Sequence, residues 1–408
     1  MSLATLERPQ TAQPAAPAPA ATAPDNAVRS RRVHYVAGYD PRGASHYHRL
    51  YKEEAAFQAP HLGTRLEVGN RERARNRVAR WQIQARWRGE PVSTEYQFMG
   101  WDDIVRRHWP GRPLALMVQT LKFYRDVLGS PGLARVRQLS RGAWHSALYP
   151  LACQGLAGVI TILIALASGF AATALGAAPA WAVAAGLATG AGCAFGAWRL
   201  ADRLGVFWLL RTCLFIHHWG SQGVPELDAR AEEMATHILR EQAERPVDEV
   251  LLVGHSVGSM LAVQVAARVQ ALQAEHDRPA PVVLLTLGQC MPYLGLLPGA
   301  ETFRQHLAGL AGGTLPWLDV TAPPDPLCFF NVDPAAACGL PPSPDRPRRH
   351  SARVFRMFSP ARYARMRRNK LRLHFQYLMS SELPADYDYF RITAGPQRLT
   401  DAIPRTAP

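Results

Sequence analysis

The chain has 408 residues, of which 48% are apolar and 19% charged, with 33 prolines and 31 glycines, so collagen-like, wholly disordered and small disulfide-stapled classes are excluded. That length buries at least one large core and sets a prior of two or three domains. The formal net charge is +14, yet only three of the 46 basic residues are lysines, an arginine skew typical of genome composition, and no nucleic-acid partner is expected.

In chain order, the N-terminus MSLATLERPQ carries no apolar h-region and does not read as a secretory signal. Residues 10–24 are mostly Ala, Pro, Thr and Gln, so 1–30 read as a disordered tail. Arg31–Ala37 predicts a short strand, ending in the turn signal Gly38-Tyr39-Asp40-Pro41-Arg42-Gly43, with helix following to about Phe57. Residues 78–101 alternate as a hairpin around Gly89-Glu90-Pro91, and Leu114–Val127 is helical by periodicity. Residues 31–140 are therefore the first part of a folded domain.

From Gly142 to Trp198 there are 57 consecutive residues without Asp, Glu, Lys or Arg. One spanning helix needs about 20 apolar residues, so the run predicts two spans, Leu148–Phe170 and Ala180–Trp198, joined by a turn at Gly176 and Pro179. Tyr149, Trp181 and Trp198 sit where an aromatic belt lies. Gly186-x-x-x-Gly190 and Gly192-x-x-x-Gly196 in the second span suit a tight hairpin, because small residues at that spacing let helix backbones approach. Arg135, Arg137 and Arg141 precede the hairpin and Arg199, Arg203 and Arg211 follow it, which predicts that both ends stay cytoplasmic. Gly205–Trp219, interrupted by Arg211, reads as an interfacial or buried helix, so 141–220 is the membrane segment.

Glu226–Glu244 is an amphipathic helix, and the pattern then changes. Strands Glu249–Val253, Val282–Leu287 and Trp317–Thr321 alternate with helices Val257–Leu272 and Glu301–Leu310, predicting a parallel α/β sheet over 221–408. The six cysteines form no CxxC pair, so neither a zinc site nor a disulfide framework is expected, and a reducing compartment is.

The sharpest motif is Gly254-His255-Ser256-Val257-Gly258, with an apolar strand running into it and an amphipathic helix running out. A sharp strand-to-helix turn presents a strained serine hydroxyl, and flanking glycines avoid clashes between strand and helix. At these residues, VGHSVGSMLA, the chain resembles the lipases of the α/β-hydrolase superfamily. LLTLGQ (Leu284–Gln289) and WLDVTAPPDPL (Trp317–Leu327) are similar to the strand-and-loop order of lipases that carry Asp-Pro after the next strand. The resemblance covers roughly 31–60 and 245–380, while the membrane hairpin and the 78–101 hairpin depart from a minimal hydrolase.

The superfamily order of nucleophile, acid and histidine implies where Ser256 should find its partners. Asp325, just beyond the strand Trp317–Thr321, is the expected acid, with Asp319 and Asp333 as alternatives. Only His350 and His374 follow it; His374, in LRLHFQYLMS, is the expected base because flanking apolar residues fix its ring. His255 is expected to point away from the serine. The oxyanion donors are expected to be the amides of Val257 and of Tyr39, at the end of the first strand. Pro360–Leu373 carries six cations, Arg362, Arg365, Arg367, Arg368, Lys370 and Arg372, either a solvated face or a surface for anionic headgroups.

The sequence thus implies an α/β-hydrolase-like, mostly parallel sheet flanked by helices and interrupted by a two-helix transmembrane hairpin. The expected activity is that of a membrane-anchored serine hydrolase, lipase- or esterase-like, cleaving an ester or thioester through Ser256, His374 and Asp325. An acyltransferase with the same triad, or a non-catalytic scaffold, are the alternatives. The expected partners are a lipid bilayer and a lipid or acyl-ester substrate. No metal or organic cofactor is indicated.

Overall fold

In a computed structural model, which describes residues 27–73, 77–111, 113–343 and 346–402, the chain divides into two units. A sheet unit comprises 27–109, Ala134–Ala143 and 216–402, and a helical unit comprises Pro110–Leu133 and Trp144–Phe215. Of the expected tail, residues 1–26 lie outside the described residues, whereas the Val28 amide already donates to Pro396 O at 2.8 Å.

Among its described residues the sheet unit holds nine strands: β1 (Ser30–Val36), β2 (Arg65–Val68), β3 (Glu72–Arg73), β4 (Val78–Trp87), β5 (Glu90–Met99), β6 (Glu249–His255), β7 (Val282–Leu287), β8 (Trp317–Thr321) and β9 (Arg348–Ser351). Their order is β2-β4-β5-β1-β6-β7-β8-β9, with β3 also paired to β4. From β5 through β9 every pairing is parallel, and β2, β3 and β4 add an antiparallel extension. The 78–101 hairpin therefore belongs to the same sheet. Every residue of β6 and β7 is buried, as parallel strands covered on both faces require. One face carries an aromatic-rich core in which Tyr35, Leu251 and Leu285 pack with Tyr47 and Tyr51 of the helix Gly43–His61 and with Phe375, Tyr377 and Tyr389 from the C-terminal segment. Side chains alternate along a strand, so Val250 and Leu252 point the other way, where the helix Gly258–His276 packs on β6 and β7 between the helices Pro225–Glu244 and Glu301–Ala311.

The two ends of the central strands differ in kind. From β1 the chain winds toward β5, whereas from β6 it winds toward β7, so its direction reverses between these neighbours. Crevices at such a reversal, beyond the carboxyl ends of the strands, are the usual ligand sites of open α/β sheets. At the opposite end of the same strands, Arg31 and its register partner Glu249 form a buried ion pair at 2.7 Å. Arg31 also donates to the carbonyls of Gly395 and Gln397, and Glu249 accepts the Leu399 amide at 2.8 Å. This pair locks the C-terminal segment onto the sheet, and removing one partner would cost about 3–5 kcal/mol.

In the helical unit, Arg141–Ala174 and Pro179–Arg203 are long and apolar enough to cross a membrane. Most of their large side chains face outward, including Ile162, Leu163, Phe170 and Leu187. They pack on each other through one of the two glycine pairs. A Cβ on Gly186 would stand 2.8 Å from Ala165 O, and one on Gly190 3.0 Å from Ala165 Cβ. Gly192 and Gly196, expected at the same contact, face open space, because the helix turns them to its other side. The helix Pro113–Val127 also belongs here: Phe123 and Tyr124 pack with Phe207 and Leu210, and the Tyr124 hydroxyl donates to Ala147 O at 2.9 Å. The helix expected over Gly205–Trp219 runs from Val206 to Gln222.

Gly186→Leu should lower the unfolding midpoint of the detergent-solubilised protein, as overpacking of about 1–3 kcal/mol predicts, while Gly192→Leu should leave it nearly unchanged. Equal effects of the two substitutions would show that the hairpin does not close through Gly186.

Candidate active site

The site begins at the end of β6, where the backbone turns sharply into the helix Gly258–His276. Ser256 occupies that turn with φ +57°, in the left-handed region that costs a residue with a side chain about 1–3 kcal/mol. The surroundings over-determine it. Its amide donates to Leu287 O at 2.9 Å, and its carbonyl accepts the Ser259 amide at 2.9 Å and hydroxyl at 2.6 Å. Both flanking glycines are forced by close approach. A Cβ on Gly254 would lie 2.6 Å from the Ala262 Cβ, and one on Gly258 would collide with the carbonyl oxygens of Val36 and Ala37.

The segment after β1 runs past this serine. A Cβ on Gly38 would meet Ser256 Cβ at 3.2 Å and Oγ at 3.6 Å, so the backbone leading to Tyr39 borders the hydroxyl. Asp40 anchors the segment: it accepts from the Arg42 guanidinium and amide and from the Tyr47 hydroxyl at 2.9 Å. Burial works to raise the Asp40 carboxyl, but the hydrogen bonds and charge of Arg42 outweigh it and hold the group below its ordinary range. Tyr39 itself is buried, its ring stacked on Trp109 and its hydroxyl donating to His108 O at 2.8 Å. Val257 is the N-cap of the elbow helix, a position whose amide has no intrahelical acceptor.

Asp325 and His374 meet across the loops beyond β8. His374 Nδ1 lies 2.8 Å from Asp325 Oδ2, with both side chains buried. The histidine rides on the short helix Lys370–Phe375, capped by the Asn369 side chain, and its ring packs 5.0 Å from that of His255. His374 O is 3.0 Å from His255 Nε2, and a Cβ on Gly288, the residue after β7, would stand 3.2 Å from His374 Cε1. These contacts bring His374 beside the residue that precedes Ser256. Its second nitrogen, Nε2, is buried without a hydrogen-bond partner. Serine–histidine contacts are often loose in a site without substrate. His255 has a packing role, its ring lying against those of His374 and Phe375. Burial, then the neighbouring His374, pushes its imidazole down to about 3, so it stays neutral.

The Asp325 carboxylate is well supplied with donors. Oδ1 accepts the Leu327 amide at 2.9 Å, and Oδ2 accepts the Tyr377 hydroxyl at 3.0 Å beside His374. Burial works to raise its pKa, but the charge and hydrogen bond of His374, with the Leu327 and Tyr377 donors, win and hold it below the usual carboxylate range. The loop carrying it is braced from the sheet unit's own piece of the first long helix: a Cβ on Gly142 would lie 3.2 Å from Pro326 Cα, and Tyr293 donates to Ala143 O at 2.5 Å. Tyr377 and the Asp40–Arg42 clamp escaped the sequence analysis. The three-residue spacing from His374 to Tyr377 was the one available signal, since it puts both on one helical face.

The alternative residues lie elsewhere. Asp333 caps the short helix Pro334–Ala337 through the amides of Ala335 and Ala336. His350 sits in β9, buried, with neither ring nitrogen hydrogen-bonded. Asp319 is buried within β8, where Oδ1 accepts the Thr286 hydroxyl at 2.6 Å and Oδ2 has no partner. Burial pushes its carboxyl up to about 7. Such an acid binds a proton in the fold that the unfolded chain has released above about 4. Stability therefore falls as pH rises from that value toward 7 and levels off above it, by roughly 2–4 kcal/mol in all. Asp319→Asn, which mimics the neutral acid, should raise the unfolding midpoint at pH 8 and change it little at pH 4; an equal shift at both would show that Asp319 is ionised in the fold. Among the described residues no cluster of His, Cys, Asp and Glu is arranged to hold a metal ion. Comparison with protein-family models, with curated proteins and with solved structures gave no significant match.

Proposed function

We propose that this chain is a membrane-anchored serine hydrolase of the α/β-hydrolase type, cleaving a carboxylic ester or thioester of a lipid. The observation that carries this reading is the left-handed Ser256 at the β6–helix turn, beside a buried Asp325–His374 pair. All lie at the strand ends where the sheet reverses its winding.

In the proposed reaction, Ser256 Oγ attacks the carbonyl carbon while His374 Nε2 takes its proton. Asp325, bonded to Nδ1, fixes the tautomer that leaves Nε2 free to accept and stabilises the imidazolium that forms. The amides of Val257 and Tyr39 would hold the oxyanion. Collapse of the tetrahedral intermediate breaks the bond to the alcohol or thiol, which leaves with the proton from His374. Water, deprotonated by His374, then attacks the acyl-enzyme and releases the acid, returning the proton to Ser256.

The bilayer enters this reading through the two long apolar helices and the flanking arginines, which by the positive-inside rule favour a cytoplasmic sheet unit. Ala143, whose carbonyl accepts from Tyr293, lies in the same helix, Arg141–Ala174, as the first candidate span. A lipid is thus the class of substrate that such a tether favours.

In isolated membranes, a fluorophosphonate probe should label the wild type and not Ser256→Ala, and His374→Ala should slow labelling by roughly 10³–10⁴-fold. Tyr377→Phe, which keeps the ring and removes one donor to Asp325, should slow it about tenfold. Labelling that survives Ser256→Ala would move the nucleophile elsewhere. Absence of labelling in folded wild type would favour the non-catalytic scaffold.

A further inference from the structure

The segment that delivers His374 carries an unneutralised cluster of charge. Of the six cations in Pro360–Leu373, two are engaged: Arg362 lies 3.9 Å from Glu382 and over the Phe358 ring, and Arg372 donates to Gln376 Oε1 at 2.6 Å. Arg353 and Arg356, earlier in the same segment, share Asp386. The remaining four, Arg365, Arg367, Arg368 and Lys370, are exposed, and among the described residues none forms an ion pair or a side-chain hydrogen bond. They occupy the end of the helix Pro360–Met366, the turn after it and the start of the helix Lys370–Phe375. Four like charges within six residues repel one another, so the fold retains a local potential that an external anion would neutralise.

We propose that Arg365, Arg367, Arg368 and Lys370 form a docking surface for the phosphate groups of an anionic lipid leaflet. Cations near such a surface are attracted through its negative potential, and the attraction fades within about a Debye length. A leaflet fits better than a nucleic acid because two helices of the same chain are long and apolar enough to hold it at a membrane. Asn369 caps the helix that bears His374, so the cluster and the base share one short piece of chain. Docking seats that side of the site on the bilayer. If the chain is the lipid hydrolase proposed above, docking makes turnover of lipid-borne esters depend on anionic lipid.

The test uses the full chain carrying Ser256→Ala, reconstituted in phosphatidylcholine vesicles with and without phosphatidylglycerol, so that it is independent of any activity. Trypsin should cut outward-facing molecules at 365–370 at least about tenfold more slowly in the anionic vesicles, with the difference lost at high salt. Equal cleavage in both vesicles would overturn the docking surface. Protection by a soluble oligonucleotide but not by phosphatidylglycerol would overturn it in favour of nucleic acid. In an active chain, replacing all four cations by Gln, with folding checked by thermal unfolding, should abolish stimulation of lipid-ester hydrolysis by phosphatidylglycerol. Stimulation retained in that variant would overturn the link to turnover, and absence of Ser256-dependent hydrolysis would fault the hydrolase reading and leave the trypsin result standing.

Discussion

Gly258 lies so close to the carbonyl oxygens of Val36 and Ala37 that no side chain fits between the elbow helix and the end of β1. That approach, with Gly254 against Ala262 on the near side, forces the turn between β6 and its helix to be tight. Ser256 takes the left-handed conformation as a consequence, held by bonds to Leu287 and Ser259. Strain at one residue persists only where its surroundings over-determine it, and here two strands and a helix do so. The same contact brings the segment after β1 past the serine, so one packing constraint positions both the hydroxyl and the backbone beside it.

Two buried aspartates six residues apart show how donors set charge inside this sheet unit. Both are desolvated, which favours the neutral acid. Asp325 has an imidazole, a tyrosine hydroxyl and an amide directed at it and is held ionised. Asp319 has the Thr286 hydroxyl on one oxygen and nothing on the other, and its carboxyl rises to about 7. The neighbouring imidazoles also differ in their partners: His374 has a carboxylate at Nδ1, while His255 has the His374 carbonyl at Nε2 and is held neutral by burial.

The helical unit follows a different pattern of exposure. Its two long helices turn their large apolar side chains outward and meet through glycine, which in water would waste apolar surface and in a bilayer does not. The sheet unit buries its apolar residues and exposes arginine. The proposed reaction and docking surface both draw on that division.

Much of this was legible locally. Strand periods, the glycines around Ser256 and the charge-free run from Gly142 to Trp198 each reflect interactions along a few neighbouring residues, so β7 and β8 begin and end where their pattern says. The two apolar helices follow from composition alone. Other features depend on residues far apart in sequence. Asp325 rather than Asp319 meets His374 because two loops fold onto one another, and Tyr377 joins them through the same closure. Gly186 and Gly190 close the hairpin while Gly192 and Gly196 do not, although the spacing is identical, because helix rotation is set by the partner helix. Which of six cations remain unpaired depends on where Glu382 and Gln376 come to lie. The sequence by itself determined the elements and the chemical groups they carry, since propensity and patterning are short-range; the tertiary structure alone decided which groups meet, since partners distant in the chain are chosen by packing and desolvation.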